Sequence, residues 1–199
     1  MIMEKSKELV SKLHDMNRSL EDCVYLLQNA FLYSSSKSLD ECEAKAKEIH
    51  EKEKVFTKEF IEEVKADPDV RVYVSVPGHI ERMGDYIEDV IGCTRTKIKE
   101  GILFTDKAVS ETAFLMERLQ EVLKNTGDII LARNRIMREY VKESAAEISR
   151  SANEFSTMHE ERLVEGLCMP KASPLFLHIM DALKGIAWHA KEIAEKLTP

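Results

Sequence analysis

The sequence predicts an all-α protein of six helices, arranged as two tandem antiparallel three-helix bundles. Three observations carry that prediction. Apolar residues step by three or four along most of the 199-residue chain, the period of a helix with one buried face. Turn residues are scarce, with 7 glycines and 5 prolines, fewer than a β-sandwich or a doubly wound sheet would use. The order of helices and breaks in the first half recurs in the second.

The first helix is read from Leu9, Leu13, Met16, Leu20, Cys23, Leu27, Ala30 and Phe31, and Ser34-Ser35-Ser36 breaks it. Ser38 is expected to cap the second helix, which carries Cys42, Ala46, Ile49, Phe56, Phe60 and Val64 among lysines and glutamates. Asp67-Pro68-Asp69 ends that helix and restarts the chain, with Asp67 as N-cap and Pro68 in the first helical position. Val70, Val72, Val74 and Val76 alternate as a strand would, but a lone strand without a partner is not stable. The segment is read instead as helix with a kink or late start at Pro77-Gly78, continuing from His79 to Lys99 with Gly101 as C-cap. Thr105-Asp106 caps the fourth helix, which carries Leu115, Leu119, Val122 and Leu123 and breaks near Asn134. The fifth passes through Ile148, Ala152, Phe155 and Leu163 to Gly166. Ser173-Pro174 opens the sixth after the Met169–Ala172 loop, and it ends at Leu197.

A shift of 99 residues lays Met16 on Leu115, Leu20 on Leu119, Ala46 on Ala145, Ile49 on Ile148 and Phe56 on Phe155, and the last helices match at a shift of 103. The halves are accordingly divided as residues 1–101 and 102–199.

Composition excludes several classes. Lys+Arg 29 against Asp+Glu 36 gives a net charge of −7, the wrong sign for a nucleic-acid surface that must displace counterions. The four cysteines, Cys23, Cys42, Cys93 and Cys168, form no C-x-x-C pair, which argues against a zinc ribbon or thioredoxin motif and fits a reducing compartment. The opening MIMEKSKELV has acid and lysine where a signal peptide needs an apolar run, and no apolar run approaches the roughly 18 residues of a spanning helix. A cytoplasmic protein without a membrane span is expected.

The densest acidic constellation is Glu81, Asp85, Glu88 and Asp89 in HIERMGDYIEDVIG. On a helix these carboxylates share a face and repel one another. Either they form a solvated acidic face, or a hard or borderline cation offsets the repulsion. Glu53 on the preceding antiparallel helix falls near the same end, with His50 one turn earlier. In the second half, Lys184 and Trp188 fall where Glu81 and Asp85 stand, and Ala152 falls on Glu53. An ammonium and an indole cannot ligate a metal, so the site belongs to the first half alone, and Lys184 would supply internally the charge a metal would bring. His178, Asp181, His189 and Glu192 line one face of the last helix, but His178 and His189 are too far apart, about 16 Å, to share an ion. His159 is expected to approach one of them by interhelical hydrogen bonding. The basic cluster Arg133, Arg135, Arg138 and Lys142 reads as a helix end or as an attractor for phosphate or an acidic partner. No histidine follows a Glu by three, and no H-E-x-x-H, G-x-S-x-G or phosphate-binding glycine loop occurs, so an enzyme is not expected.

His79-Ile80-Glu81-Arg82-Met83-Gly84-Asp85-Tyr86 closely resembles the Leu-Glu-Arg-Ile-Gly-Asp-His signature of PhoU-type phosphate-uptake regulators. Leu183–Glu195 is similar to the family's second signature with its acids replaced. Leu103–Val109 and His159–Cys168 look most like the PhoU domains of bacterial sodium/phosphate cotransporters. The resemblance spans essentially the whole chain. It implies two three-helix bundles, surface metal clusters held by Glu/Asp-x-x-x-Asp motifs, and a non-enzymatic regulatory role in phosphate transport and homeostasis. That role is exercised through contact with a phosphate transporter or a sensor kinase. Residue by residue, Glu81 and Asp85 match the metal-binding acids, Asp89 stands at the family's Asn position, and Glu53 matches an acid on the second helix. The ion implied is iron, zinc, nickel or manganese, in the first repeat only. Lacking a cotransporter's membrane helices, the chain is expected to act as a separate subunit, with a homodimer as the default assembly. The rival reading is a metal-binding or purely scaffolding helical protein with no phosphate role.

Overall fold

The three- and four-residue apolar steps wind into six α-helices in a computed structural model that describes residues 4–198. The first three residues and Pro199, which the two-repeat division and the reading of the N-terminus include, lie outside the described residues. The helices are α1 (Glu4–Tyr33), α2 (Ser36–Glu63), α3 (Val76–Lys99), α4 (Asp106–Ala132), α5 (Arg135–Val164) and α6 (Ser173–Leu197), and no strand occurs among the described residues. Short connections make sequential helices antiparallel neighbours. α1 packs on α2 and α3, and α2 on α3; α4, α5 and α6 pack on one another in the same way. The α1–α4 and α3–α6 contacts join these groups, and one continuous apolar core runs through all six helices.

The ends of the helices follow the chemistry of their caps. Ser34 takes a left-handed φ of 55°, and Ser35 then caps α2 by accepting from Ser38 N. The cap is therefore Ser35, and Ser38 is the residue it holds. Its hydroxyl stands 2.9 Å from that of Ser35. Asp67 caps as expected, accepting from Asp69 N, with Pro68 at the first helical position. The chain winds from there as a 3₁₀ helix, Pro68–Tyr73, before α3 begins at Val76. Three residues per turn put positions 70, 73 and 76 on one face. Val70, Tyr73 and Val76 are all fully buried, which accounts for the alternating valines without a strand. Gly101 ends α3 at φ +63°. Thr105 caps α4 through Ala108 N. The fourth helix runs unbroken through Asn125-Thr126-Gly127 to a left-handed Arg133, and Asn134 caps α5 through Ile136 and Met137 N.

Candidate metal centre

The site lies where α2 faces α3, and Gly84 lets the two helices close together. A Cβ at Gly84 would sit 3.5 Å from Ile49 Cγ2 and 3.6 Å from His50 Cε1. The His50 imidazole lies over that gap, flanked by the carboxylates of α3. Its Nδ1 is 3.4 Å from Glu81 Oε1; its Nε2 is 3.4 Å from Glu88 Oε1 and 3.9 Å from Asp85 Oδ1. One ligand atom from each of His50, Glu81 and Asp85 lies within 4.8 Å of the others, and all three residues are half-buried. Arg82 approaches from outside, its Nη1 3.0 Å from Asp85 Oδ2 and its Nε 3.9 Å from Glu81 Oε2. Three carboxylates thus converge on one imidazole at distances longer than good hydrogen bonds. One nitrogen and two or three carboxylate oxygens suit a borderline divalent ion such as zinc, iron, nickel or manganese. The residues present fit the group.

The four acids singled out in the sequence divide. Glu81 and Asp85 meet His50. Glu53 stands one turn further along α2, where its Oε1 accepts from the Thr57 hydroxyl at 2.7 Å. Asp89 faces α6, its Oδ1 3.6 Å from His178 Nε2. Helical geometry separates the last two acids: at about 100° per residue, Glu88 is rotated only about 20° from Glu81, whereas Asp89 is rotated about 80°. His50 and Glu88, named in the sequence beside these acids but not among the expected ligands, are the residues that join Glu81 and Asp85 in the structure. The small residue at 84 marks where an α2 ring can approach the α3 backbone, although it does not say which α2 residue stands there.

In the second half, Lys184 Nζ bonds Asp181 Oδ1 at 2.7 Å and Asn153 Oδ1 at 2.9 Å. His159 approaches neither His178 nor His189. It is 1% exposed, stacks on Phe176 with centroids 4.4 Å apart and faces Cys168 Sγ at 3.9 Å. Its expected reach along α6 fails because burial against the aromatic ring fixes it. Arg133 and Arg138 of the basic cluster are engaged at the end of α6: Arg133 donates to Leu197 O at 2.8 Å, and Arg138 donates to Thr198 O. Cations suit carbonyls at a helix C-terminus.

A second histidine pair bridges the two groups of helices. His79 Nδ1 on α3 and His189 Nδ1 on α6 are 2.9 Å apart. Burial lowers the pKa of His79, and Lys196 adds to the effect. Burial, His79 and Arg82 bring His189 down to about 4. Tyr86, Trp188 and Gly185 complete this seam, with a Cβ at Gly185 falling 2.4 Å from the Tyr86 ring.

No family sequence model and no curated protein matches the chain. Solved structures do. The crystal structure of PhoU from Pseudomonas aeruginosa superposes with a TM-score of 0.86 at 18% identity, over 96% of this chain and 93% of that one. The phosphate transport system regulatory protein PhoU from Streptococcus pneumoniae superposes with a TM-score of 0.84 at 13% identity, over 96% and 91%. The fold is PhoU-like. Within that PhoU-like frame, Glu81, Asp85 and the His50 ring occupy the face between the second and third helices. No helix among the described residues is long and apolar enough to cross a membrane.

Proposed function

We propose that the chain is a non-enzymatic regulator of phosphate transport that acts by protein–protein contact and carries one metal site in its first half. The observation that carries this reading is the PhoU-like fold over 96% of the chain, joined to the meeting of His50, Glu81 and Asp85 on the α2–α3 face. When bound, a divalent ion would neutralise carboxylates that otherwise repel one another. Glu81 and Asp85 would hold it through oxygen and His50 through nitrogen, with Glu88 beside them. Arg82 now answers part of that charge, so ion binding would release it toward solvent. Glu53 and Asp89 belong to the proposal as flanking acids that enlarge the negative field. The division into two three-helix repeats falls at the Gly101 turn, the protein works in the cytoplasm, and its assembly is a homodimer.

The test has two arms. Untagged protein is analysed for metal by elemental mass spectrometry beside a Glu81→Gln/Asp85→Asn variant. Stoichiometric metal in the first and none in the second is the expected result. A pull-down from the native host is expected to recover a phosphate transporter or a sensor kinase. Metal without a phosphate-transport partner would favour the metal-binding reading. A partner without metal would leave a scaffold.

A further inference from the structure

The seam between α3 and α6 brings two ring nitrogens into contact. His79 Nδ1 and His189 Nδ1 are 2.9 Å apart, and the rings are inclined at 59° with centroids 5.2 Å apart. Tyr86 and Trp188 flank them, and a Tyr86 ring pressed against Gly185 holds the two helices at this separation. Both histidines are half-buried and Trp188 is half-exposed, so water reaches the edge of the cluster. Glu192 lies one turn beyond His189 on the same face of α6, and its charge acts on both rings. Its carboxylate makes long ion pairs, 3.6 Å to Lys191 and 3.7 Å to Lys196.

We propose that His79 and His189 form a second metal site, an imidazole clamp for a divalent transition ion that ties α3 to α6, with the negative charge of Glu192 nearby and water filling the remaining positions. Geometry narrows the ion. At a metal–nitrogen distance of about 2.0 Å, two nitrogens 2.9 Å apart subtend about 90°, whereas a tetrahedral ion needs them about 3.3 Å apart. The right angle is that of cis positions in a square-planar or tetragonal ion, which points to Ni(II) or Cu(II). Entry of the ion displaces the proton shared between the two Nδ1 atoms. That proton moves to Nε2 of its own ring, so both imidazoles stay neutral and no net proton is lost. Arg82 and Lys196 oppose the ion's charge while Asp85 and Glu192 favour it. Arg82 is already spent on Asp85 at 3.0 Å. The site differs from the α2–α3 centre in its donors and in its role, since it joins the two groups of helices.

The chain's single tryptophan makes the test direct, because the Trp188 ring centroid is 4.7 Å from that of His189. Full-length protein carrying His50→Gln/Glu81→Gln, which disables the α2–α3 centre and keeps the Arg82–Asp85 pair, is titrated with NiCl₂ in a non-chelating buffer while Trp188 emission is followed. Saturable quenching at one equivalent is expected. It should weaken at least about tenfold in His79→Gln and in His189→Gln. Electron paramagnetic resonance of the Cu(II) form, which needs no histidine variant, is expected to show two imidazole nitrogens. With Ni(II) at about a hundred times its dissociation constant, the thermal midpoint should rise by about 5 °C or more. Quenching that ignores both histidine substitutions would overturn the clamp, as would a Cu(II) spectrum with fewer than two nitrogens. Binding seen only when His50 and Glu81 are intact would assign the ion to the α2–α3 centre and end the clamp proposal, leaving the phosphate-transport regulator in place.

Discussion

His159 shows how one buried side chain sets a pH response. Its neighbours are Phe176 beneath the ring, Cys168 at Nδ1, and the fork of Arg162 on Glu111, with contacts of 2.7 and 3.1 Å. Burial, and then Arg162, lower its pKa below the ordinary histidine value of 6.5; Glu111 and Glu160 oppose them only in part. The native state therefore keeps His159 neutral at pH values where the unfolded chain has already taken up a proton. Stability from this group is complete above pH 6.5 and is lost as pH falls toward the lowered native value. His159→Phe keeps the stack on Phe176 and removes the titrating group. Urea unfolding from pH 7 to pH 5 is expected to show a shallower loss of stability in this variant than in the wild type. Equal slopes would mean that His159 is already solvated. The Glu111–Arg162 fork beside it is a different kind of contact. Glu111 is 2% exposed, and burying a carboxylate costs several kcal/mol, which the bidentate pairing offsets without a large surplus. The fork fixes how α4 meets α5 more than it adds to stability.

Between elements, the α3–α6 seam depends on one missing side chain. A Cβ at Gly185 would lie 2.4 to 2.7 Å from three carbons of the Tyr86 ring, a distance at which something must move. Gly185→Ala is expected to cost about 1–3 kcal/mol by overpacking, although alanine alone favours a helix by about 1 kcal/mol over glycine. In a Tyr86→Ala background the obstacle is gone, and the same substitution should become neutral or stabilising. A double-mutant cycle by urea unfolding measures that reversal, and equal costs in the two backgrounds would refute it. The element scale is also where sequence and structure can be compared. Thr105 and Asp67 announced their helix starts because a cap is a local interaction with backbone N–H groups two or three residues on, whereas Asn134 was legible only as a break and proves to cap α5. Ser35 was harder to choose among Ser34, Ser35, Ser36 and Ser38, since each can cap and only backbone φ separates them. The strand-like alternation of Val70, Val72, Val74 and Val76 masked the step of three that buries Val70, Tyr73 and Val76. Glu81 and Asp85 were legible as neighbours on one helix. The partnership of His50 was not, because it depends on the register of α2 against α3, and a one-residue slip would bring Ile49 or Glu51 forward instead. The clash of Tyr86 with any side chain at 185 is a tertiary fact with no local signature.

For the whole molecule, the question is whether two repeats make two folding units. The core residues form one cluster drawn from all six helices. Polar contacts cross the division as well: buried Asn17 Nδ2 donates to Leu123 O at 2.9 Å, and the Tyr73 hydroxyl donates to Ile130 O at 3.1 Å. Separating the halves would strip apolar surface from α1, α3, α4 and α6 at about 25 cal/mol per Å² and leave Asn17 and Tyr73 without their buried acceptors, a further cost of about 1–3 kcal/mol each. Each half packs within itself as well, but the faces of α1 and α3 and of α4 and α6 are covered by the other half. Cooperative unfolding is the consequence. Trp188 fluorescence reports the second half, and far-ultraviolet circular dichroism reports helices throughout. Their urea transitions are expected to coincide in midpoint and slope. A fluorescence transition that precedes the loss of helicity would show the second half opening first, with the α1–α4 and α3–α6 contacts weaker than their burial implies. Residues 1–101 expressed alone should then keep a cooperative transition. If the shared core governs, that fragment should lose it, because the α1 and α3 faces that meet α4 and α6 would be open to water.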